Sequence, residues 1–475
     1  MAYQTINPAT GKLIKTYANI SDQDLEAAVA NAHKAFRNDW QYRRVAERAR
    51  IISTAATILR KKSEEYSHYL TLEVGKLIAE ARAEVSLSAD ILDYYAKKAE
   101  NYLKPRMLSE SPGAELHIEP IGVLIGIEPW NFPYYQIARV AGPQLMVGNV
   151  LLLKHAESVP QSALAFARLF EEAGAPPGVY TNIFASIEQI GRLIEDSRIR
   201  GVTLTGSERA GAAVAGRAGR SLKKSVMELG GSDPLIVLED APMESTLDNA
   251  LFGRMFNMGQ CCVGSKRLIV IGKERGEAFL DGFVQRLALL KPGNPNDPAT
   301  TLGPLASKKA LNLLLDQIKL ARKEGGKVVY GGARLDRPGF YLQPTVLVGI
   351  SEENPIYAQE LFGPVASFHV VENEDEAVCL ANATPFGLGA SVFTADIERG
   401  RKVAAKIDSG MVFINQPVWT APQLPFGGIK NSGFGRELSE LGFGAFVNEK
   451  LINVASSGSP PWGASFAETG GSSSA

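Results

Sequence analysis

The sequence predicts an α/β fold in which a parallel sheet is covered by helices on both faces and followed by a second α/β unit. Three observations predict it. Strand-like and helix-like segments alternate over about residues 120–230, the signature of βαβ units. A second alternating stretch begins near Pro234. Ahead of both, residues 22–105 are almost free of glycine and rich in Ala, Leu, Glu and Lys, the good helix formers.

Along the chain, DQDLEAAVANAHKAFRNDW and the longer run from Arg43 to Leu103 read as helices. ELHIEPIGVLIGI then reads as extended strand, because it alternates and is rich in Ile and Val. Pro129 and Pro133 hold the next residues in an irregular loop. NVLLLKHA at 149–156 reads as a buried strand, and QSALAFARLFEEAGAPPG as a helix with a Gly and Pro stop. Short strands follow around Tyr180–Phe184 and Ile199–Leu204. In the second unit PLIVLED, SKRLIVIG and ASFHVV read as strands and ERGEAFLDGFVQRLALL as a helix. KPGNPNDPATTLGP is a turn-rich surface loop, and residues 457–475 have the composition of a flexible tail.

Composition narrows the function. Lys and Arg total 50 against 51 Asp and Glu, so no basic excess exists to gather nucleic-acid phosphates. The most apolar short stretch, IGVLIGI at 121–127, is far short of the roughly 20 residues a membrane helix needs. The N-terminus lacks a basic stretch followed by an apolar run, so no signal peptide is expected. Three cysteines in a chain of this length point to a reducing compartment, and the expected setting is the cytoplasm. The histidines are scattered without zinc-ligand spacing, and no metal is expected.

Four places carry candidate chemistry. Cys262, in NMGQCCVGSKR, follows a polar, flexible Gly–Gln pair and is a candidate nucleophile; a pair of small buried hydrophobes fits the local sequence equally. Glu228, in MELGGSDP, is a candidate general base or a salt-bridged element end. Asn131, between Trp130 and Phe132, is an oxyanion donor or a turn cap. Gly206, Ser207 and Gly211 follow the strand VTLT, either as a phosphate-approach turn at a helix start or as a plain glycine turn.

Taken in order, PWNFP at 129–133, LLLKHAE at 151–157, LTGS at 204–207, ELGG at 228–231, GQCC at 259–262, ELFGP at 360–364 and PFGGIKNSGFGRE at 425–437 resemble the aldehyde dehydrogenase superfamily, most nearly its succinate-semialdehyde dehydrogenase branch. The resemblance covers about residues 5–456. It implies a Rossmann-type cofactor domain at 1–101 and 121–229 and an α/β catalytic domain at 230–430. A small β oligomerisation arm, 102–120 with 446–456, would complete the fold. By position it implies Cys262 as nucleophile, Glu228 as general base and Asn131 as oxyanion donor. Trp130, Lys154, Glu157, Gly206, Ser207, Glu360 and Phe362 are implied at the cofactor, Lys154 and Glu157 on the adenosine ribose and Glu360 on the nicotinamide ribose. The implied activity is oxidation of an aldehyde to a carboxylic acid through a cysteine thioester, by a homodimer or homotetramer acting on a small molecule, with no nucleic-acid or membrane partner.

The implied substrate is succinate semialdehyde or a similar short carboxylated aldehyde, with Arg139 as the fork for its carboxylate. Phe256 stands where many of the branch carry a second arginine, and Trp419 and Thr420 replace a small serine-containing loop. These departures keep open a broad-specificity enzyme for aliphatic or aromatic aldehydes; a non-catalytic scaffold is the remaining alternative. For the cofactor, Glu157 is expected to accept the 2′-hydroxyl of NAD and repel the 2′-phosphate of NADP, while Lys154 suits either. NAD is the expected preference, with NADP possible.

Overall fold

The computed structural model describes residues 2–111, 113–455 and Ser457; the expected flexible tail lies almost wholly outside the described residues. Helices Asp22–Asn38, Val45–Lys61, Ser63–Val74 and Ile78–Tyr102 fill the glycine-poor run. They pack, through Val29, Ile52, Leu59, Leu70 and Leu92, into the same apolar core as the first large sheet. None of the helices among the described residues is long and apolar enough to cross a membrane.

That sheet runs, in spatial order, Gly433–Phe434, Lys224–Glu228, Ile199–Thr205, Val123–Glu128, Val150–His155, Tyr180–Asn182. The last five strands are parallel and the first is an antiparallel edge. The central strands are apolar on both faces, as helices covering both sides require. Helix Pro160–Glu172 starts with proline, and the buried Glu73 carboxylate accepts from its Gln161 and Ser162 N–H groups at 2.9 Å. A carboxylate there satisfies donors that a helix start leaves unpaired.

ELHIEPIGVLIGI is not one strand but two, in different sheets. Ala114–Pro120 pairs antiparallel with Val447–Asn453, and Val123–Glu128 enters the centre of the parallel sheet. The chain turns between them at Gly122, whose φ is +137°, and a Cβ there would stand 2.7 Å from Arg200 Cγ. Asn149 Oδ1 accepts from the Ile121 and Gly122 N–H groups at 2.8 and 2.9 Å and fixes the turn.

The second large sheet has seven strands, in the order Lys327–Tyr330, Thr345–Val348, Val365–Val371, Ser265–Ile271, Asp233–Val237, Gly389–Phe393, Met411–Ile414. All pairs are parallel except the first. Glu128, Thr205 and Glu228 end three strands of the first sheet, on the edge where open α/β sheets bind ligands. Cys262 lies just ahead of strand Ser265–Ile271 of the second.

Candidate active site

Cys262 is carried by a strained loop between helix Met243–Met255 and strand Ser265–Ile271. Asn257 and Met258 have φ of +51° and +56°, a region that residues with a Cβ avoid. Polar bonds hold them there. Asn257 N donates to Glu80 Oε1 at 2.9 Å, and Asn257 Nδ2 donates to Asn131 O at 3.0 Å and to Gln260 O at 3.2 Å. At Gly259, φ +68°, a Cβ would run into the Gly363 carbonyl and the Arg254 guanidinium. Arg254 Nη2 donates to Gly259 O and Gly363 O at 2.6 Å, so this buried arginine serves the loop backbone.

Asn131 follows strand Val123–Glu128 and precedes helix Pro133–Val147, which begins on proline. Its Nδ2 donates to Gln260 O at 3.1 Å, so the amide lies against the nucleophile loop. The Gln136 side-chain amide contacts it at 2.9 Å.

The two thiols are adjacent, and their ionisations oppose. One negative charge on the pair is favoured and a second is not. Cys261 is pulled down to about 7 by Cys262, against burial, with help from Lys266 and Arg254; Cys261 and burial push Cys262 up. Lys266 is buried beneath them. Its ammonium donates to Cys261 O at 2.9 Å and Cys262 O at 2.6 Å and stands 3.1 Å from Glu360 Oε1.

Glu228 is buried, and neither carboxylate oxygen finds a protein partner. Burial raises its pKa well above the usual carboxylate value; Glu437 adds to the rise, and Arg139 and Arg436 oppose it. Arg139, also buried, pairs with Glu437 (Nε to Oε2, 2.8 Å) and donates from Nη2 to Thr205 Oγ1 at 3.0 Å. Burial would discharge this guanidinium, but Glu437 and the other acids outweigh it and hold it charged.

A cavity of about 290 Å³ opens on Cys261 and Cys262. One wall is aromatic. Phe132 stacks on Phe256 (5.9 Å, 19°), Phe256 meets Trp419 edge-on at 5.1 Å, and Phe252 closes on Trp419 at 5.4 Å. Another wall is polar, with Arg139, Tyr135 and Thr420; Tyr135 and Thr420 share a hydrogen bond of 2.8 Å. The structure thus brings Cys262, Arg139, Phe256, Trp419 and Thr420 to one chamber. Neither Glu228 nor Asn131 is part of its lining; Asn131 bonds the Gln260 carbonyl, one residue before Cys261.

The residues expected at the cofactor are spread along the strand ends. Trp130 and Phe362 meet edge-on at 5.7 Å. Glu360 Oε1 accepts from Gly231 N at 3.1 Å. Ser207 caps helix Glu208–Arg220 by accepting from Ala210 N, and Gly206 N donates to Glu228 O at 2.9 Å. Lys154 Nζ and Glu157 Oε1 pair at 2.6 Å. A capped helix start beside Gly206, where a Cβ would touch only the Leu204 side chain, supplies N–H donors for phosphate; the Lys154 ammonium adds a cation and the Glu360 carboxylate an acceptor for a ribose hydroxyl, so these residues fit a dinucleotide.

Residues 1–452 match the profile of the aldehyde dehydrogenase family. The chain belongs to the aldehyde dehydrogenase family. It is 47% identical over 458 residues to an NADP(+) succinate-semialdehyde dehydrogenase of Deinococcus radiodurans, covering 95% of this chain and 94% of that one. It is 41% identical to an NADP(+) succinate-semialdehyde dehydrogenase of Mycobacterium tuberculosis, covering 96% and 100%. The crystal structure of succinic semialdehyde dehydrogenase from Streptococcus pyogenes with NADP+ superposes with a TM-score of 0.93 at 45% identity, covering 96% and 100%. The α/β architecture expected from the motifs is therefore the family's.

The expected preference for NAD is corrected. These relatives are named for, or hold, NADP+. The expectation treated Glu157 as a free charge facing the 2′-phosphate. In the structure its carboxylate is neutralised by Lys154: burial works to raise its pKa, but the ammonium outweighs this and lowers it.

Sequence reasoning missed Tyr135, Lys266 and Glu437. Tyr135 was legible: it lies four residues before Arg139, on the same face of the helix that follows Asn131. Lys266 had a weaker signal, one of two adjacent basic residues at the start of a fully buried strand. Glu437 had only its place at the end of the last shared motif.

Proposed function

We propose that this chain oxidises succinate semialdehyde, or a short aldehyde with a terminal carboxylate, to the acid with NADP, releasing the product by hydrolysis and not to coenzyme A. The observation that carries the substrate reading is the polar strip of Arg139, Tyr135 and Thr420 in the wall of the chamber that also holds Cys262. A charged guanidinium, a phenol and a hydroxyl suit a carboxylate, and the names of the relatives agree.

In this reading Cys262 thiolate adds to the aldehyde carbon, and Asn131 Nδ2 with the Cys262 N–H receives the oxyanion. Trp130, Phe362 and Glu360 would hold the nicotinamide end of the cofactor, which would supply the acceptor for the aldehyde hydrogen and its electron pair. Cys262 is left as a thioester. Glu228 takes a proton from water, the water oxygen attacks the thioester carbon, and the thiolate leaves. Lys154 and Glu157 would hold the adenosine ribose, and Gly206 and Ser207 the pyrophosphate. The six-stranded sheet is read as the cofactor half, the seven-stranded sheet as the half that presents the nucleophile. The edge of Val447–Asn453, with Leu451 and Ile452 exposed, is read as the strand that pairs with a second copy.

A second reading, a broad-specificity enzyme, is favoured by the aromatic wall of Phe132, Phe252, Phe256 and Trp419. A panel of aldehydes of matched chain length, with and without a terminal carboxylate, run with NADP and NAD, tests both. Higher kcat/KM for the carboxylated members with NADP is expected. Equal values for both members of each pair would favour the second reading, and faster turnover with NAD would sink the cofactor assignment.

A further inference from the structure

The segment Lys76–Glu84 places three charged side chains beneath the two loops of the site. Lys76 and Glu84 are buried and form an ion pair. Lys76 Nζ also donates to Asn131 O at 3.0 Å and sits 3.8 Å above the Phe132 ring. The other oxygen of Glu84, Oε1, accepts from Tyr134 N at 2.9 Å and Tyr135 N at 3.2 Å, the open donors of the helix that starts at Pro133. Glu80, one turn earlier, accepts from Asn257 N, and Asn257 Nδ2 donates to the same Asn131 carbonyl at 3.0 Å.

We propose that Lys76 is a positioning residue for the oxyanion site, acting through the backbone carbonyl of Asn131. The inference rests on the reading of Asn131 as oxyanion donor. A carbonyl oxygen has two lone pairs, and those of Asn131 are filled by Lys76 and Asn257. The peptide plane is thereby fixed from two sides, and the side-chain amide is aimed at Gln260 O, beside the nucleophile. A buried ion pair is weak evidence of stabilisation, since desolvation offsets its attraction. Its effect here is geometric: one ammonium ties the helix of Glu84, the Asn131 loop and the Phe132 ring. Displacement of a reacting or stabilising group by about 1 Å costs about a hundredfold in rate, so the Asn131 amide needs such support.

The test is a cycle of Lys76→Met, Asn131→Ala and the double variant, read by the single-turnover rate of cofactor reduction. Alkylation of Cys262 by iodoacetamide, a displacement that develops no oxyanion, is the control. Lys76→Met is expected to slow acylation by about ten- to a hundredfold with the alkylation rate unchanged. In the Asn131→Ala background it should cost nothing further, because both act through one amide. Where Lys76→Met fails to fold, Lys76→Met with Glu84→Gln removes both buried charges and is read in the same way. Losses that multiply in the cycle, or an equal fall in alkylation, overturn the role of Lys76. Undiminished acylation in Asn131→Ala alone overturns the oxyanion reading, and with it this inference.

Discussion

Arg139 and Glu437 form a buried ion pair, Nε to Oε2 at 2.8 Å, that ties the helix following Asn131 to the C-terminal segment 425–437. The arginine expected to fork a substrate carboxylate therefore already has a carboxylate partner. It is also flanked by the Tyr135 and Phe426 rings, at 4.8 and 4.6 Å. A substrate carboxylate must share it with Glu437 and draw its remaining donors from Tyr135 and Thr420.

Arg139→Met should therefore do two things. It leaves the buried Glu437 unpaired, a loss of about 3–5 kcal/mol in stability. It should also lower kcat/KM for succinate semialdehyde more than for an uncharged aldehyde of equal length. Adding Glu437→Gln separates the effects: stability should return toward that of the parent, while the substrate discrimination stays lost. Restored discrimination in the double variant would make Arg139 structural only.

Tyr135→Phe removes one hydroxyl from the polar wall without altering the packing. A hydrogen bond to a charged group is worth about 1.5–3 kcal/mol. The expected result is a rise in KM for the carboxylated aldehyde, with the uncharged partner and the melting temperature little changed. Equal KM changes for both substrates would remove Tyr135 from the carboxylate subsite.

How far the sequence revealed this site depends on how local each feature is. Cys262, Asn131 and Glu228 sit in short motifs at element ends, where tight turns leave a record in Gly, Pro and Asn. The parallel sheet was visible because strands buried on both faces read as continuous apolar runs. The break at Gly122 was hidden, since two strands of different sheets abut there with only Ile121 and Gly122 between them. Contacts between distant segments left no local trace: Arg139 with Glu437, Lys266 with Glu360, Lys76 with Asn131. The misjudged cofactor preference has the same origin, because the two residues were weighed as separate charges although three positions apart they pair.

Cys262→Ala should abolish aldehyde oxidation while cofactor still binds, and Cys261→Ala should keep substantial turnover. Because the two ionisations oppose one another, Cys261→Ala should also remove the opposing charge from Cys262 and lower the pH at which Cys262 is alkylated. The readout is the pH profile of iodoacetamide inactivation. Turnover in Cys262→Ala would move the nucleophile to Cys261.

Lys266→Met withdraws the cation that favours a thiolate on either cysteine and frees Glu360 from its ion pair. The alkylation profile should move to higher pH, and the Kd for NADP should change with it, since Glu360 is read as the nicotinamide-ribose ligand. A shifted profile with unchanged Kd would confine Lys266 to the nucleophile.

Read as the general base, Glu228 should set the pH dependence of the second half-reaction. Its pKa lies above the ordinary carboxylate value because burial and Glu437 disfavour the charge more than Arg139 and Arg436 favour it. Only the ionised form can take a proton from water. Thioester hydrolysis should therefore be slow at low pH and rise as pH passes through the elevated pKa. Neighbouring charges move that limb in defined directions. Glu437→Gln removes a negative neighbour and should shift it to lower pH; Arg139→Met removes a positive one and should shift it higher. Glu128, also buried near Glu228, adds a repulsion of the same sign as Glu437. In Glu228→Gln the first turnover should persist as a burst of reduced cofactor, with the steady rate depressed and its low-pH limb gone. Stopped-flow absorbance across pH measures both phases in one experiment. Equal slowing of burst and steady rate in Glu228→Gln would assign Glu228 to thiol activation, and a pH limb that survives the substitution would assign the titration to another group of the cluster.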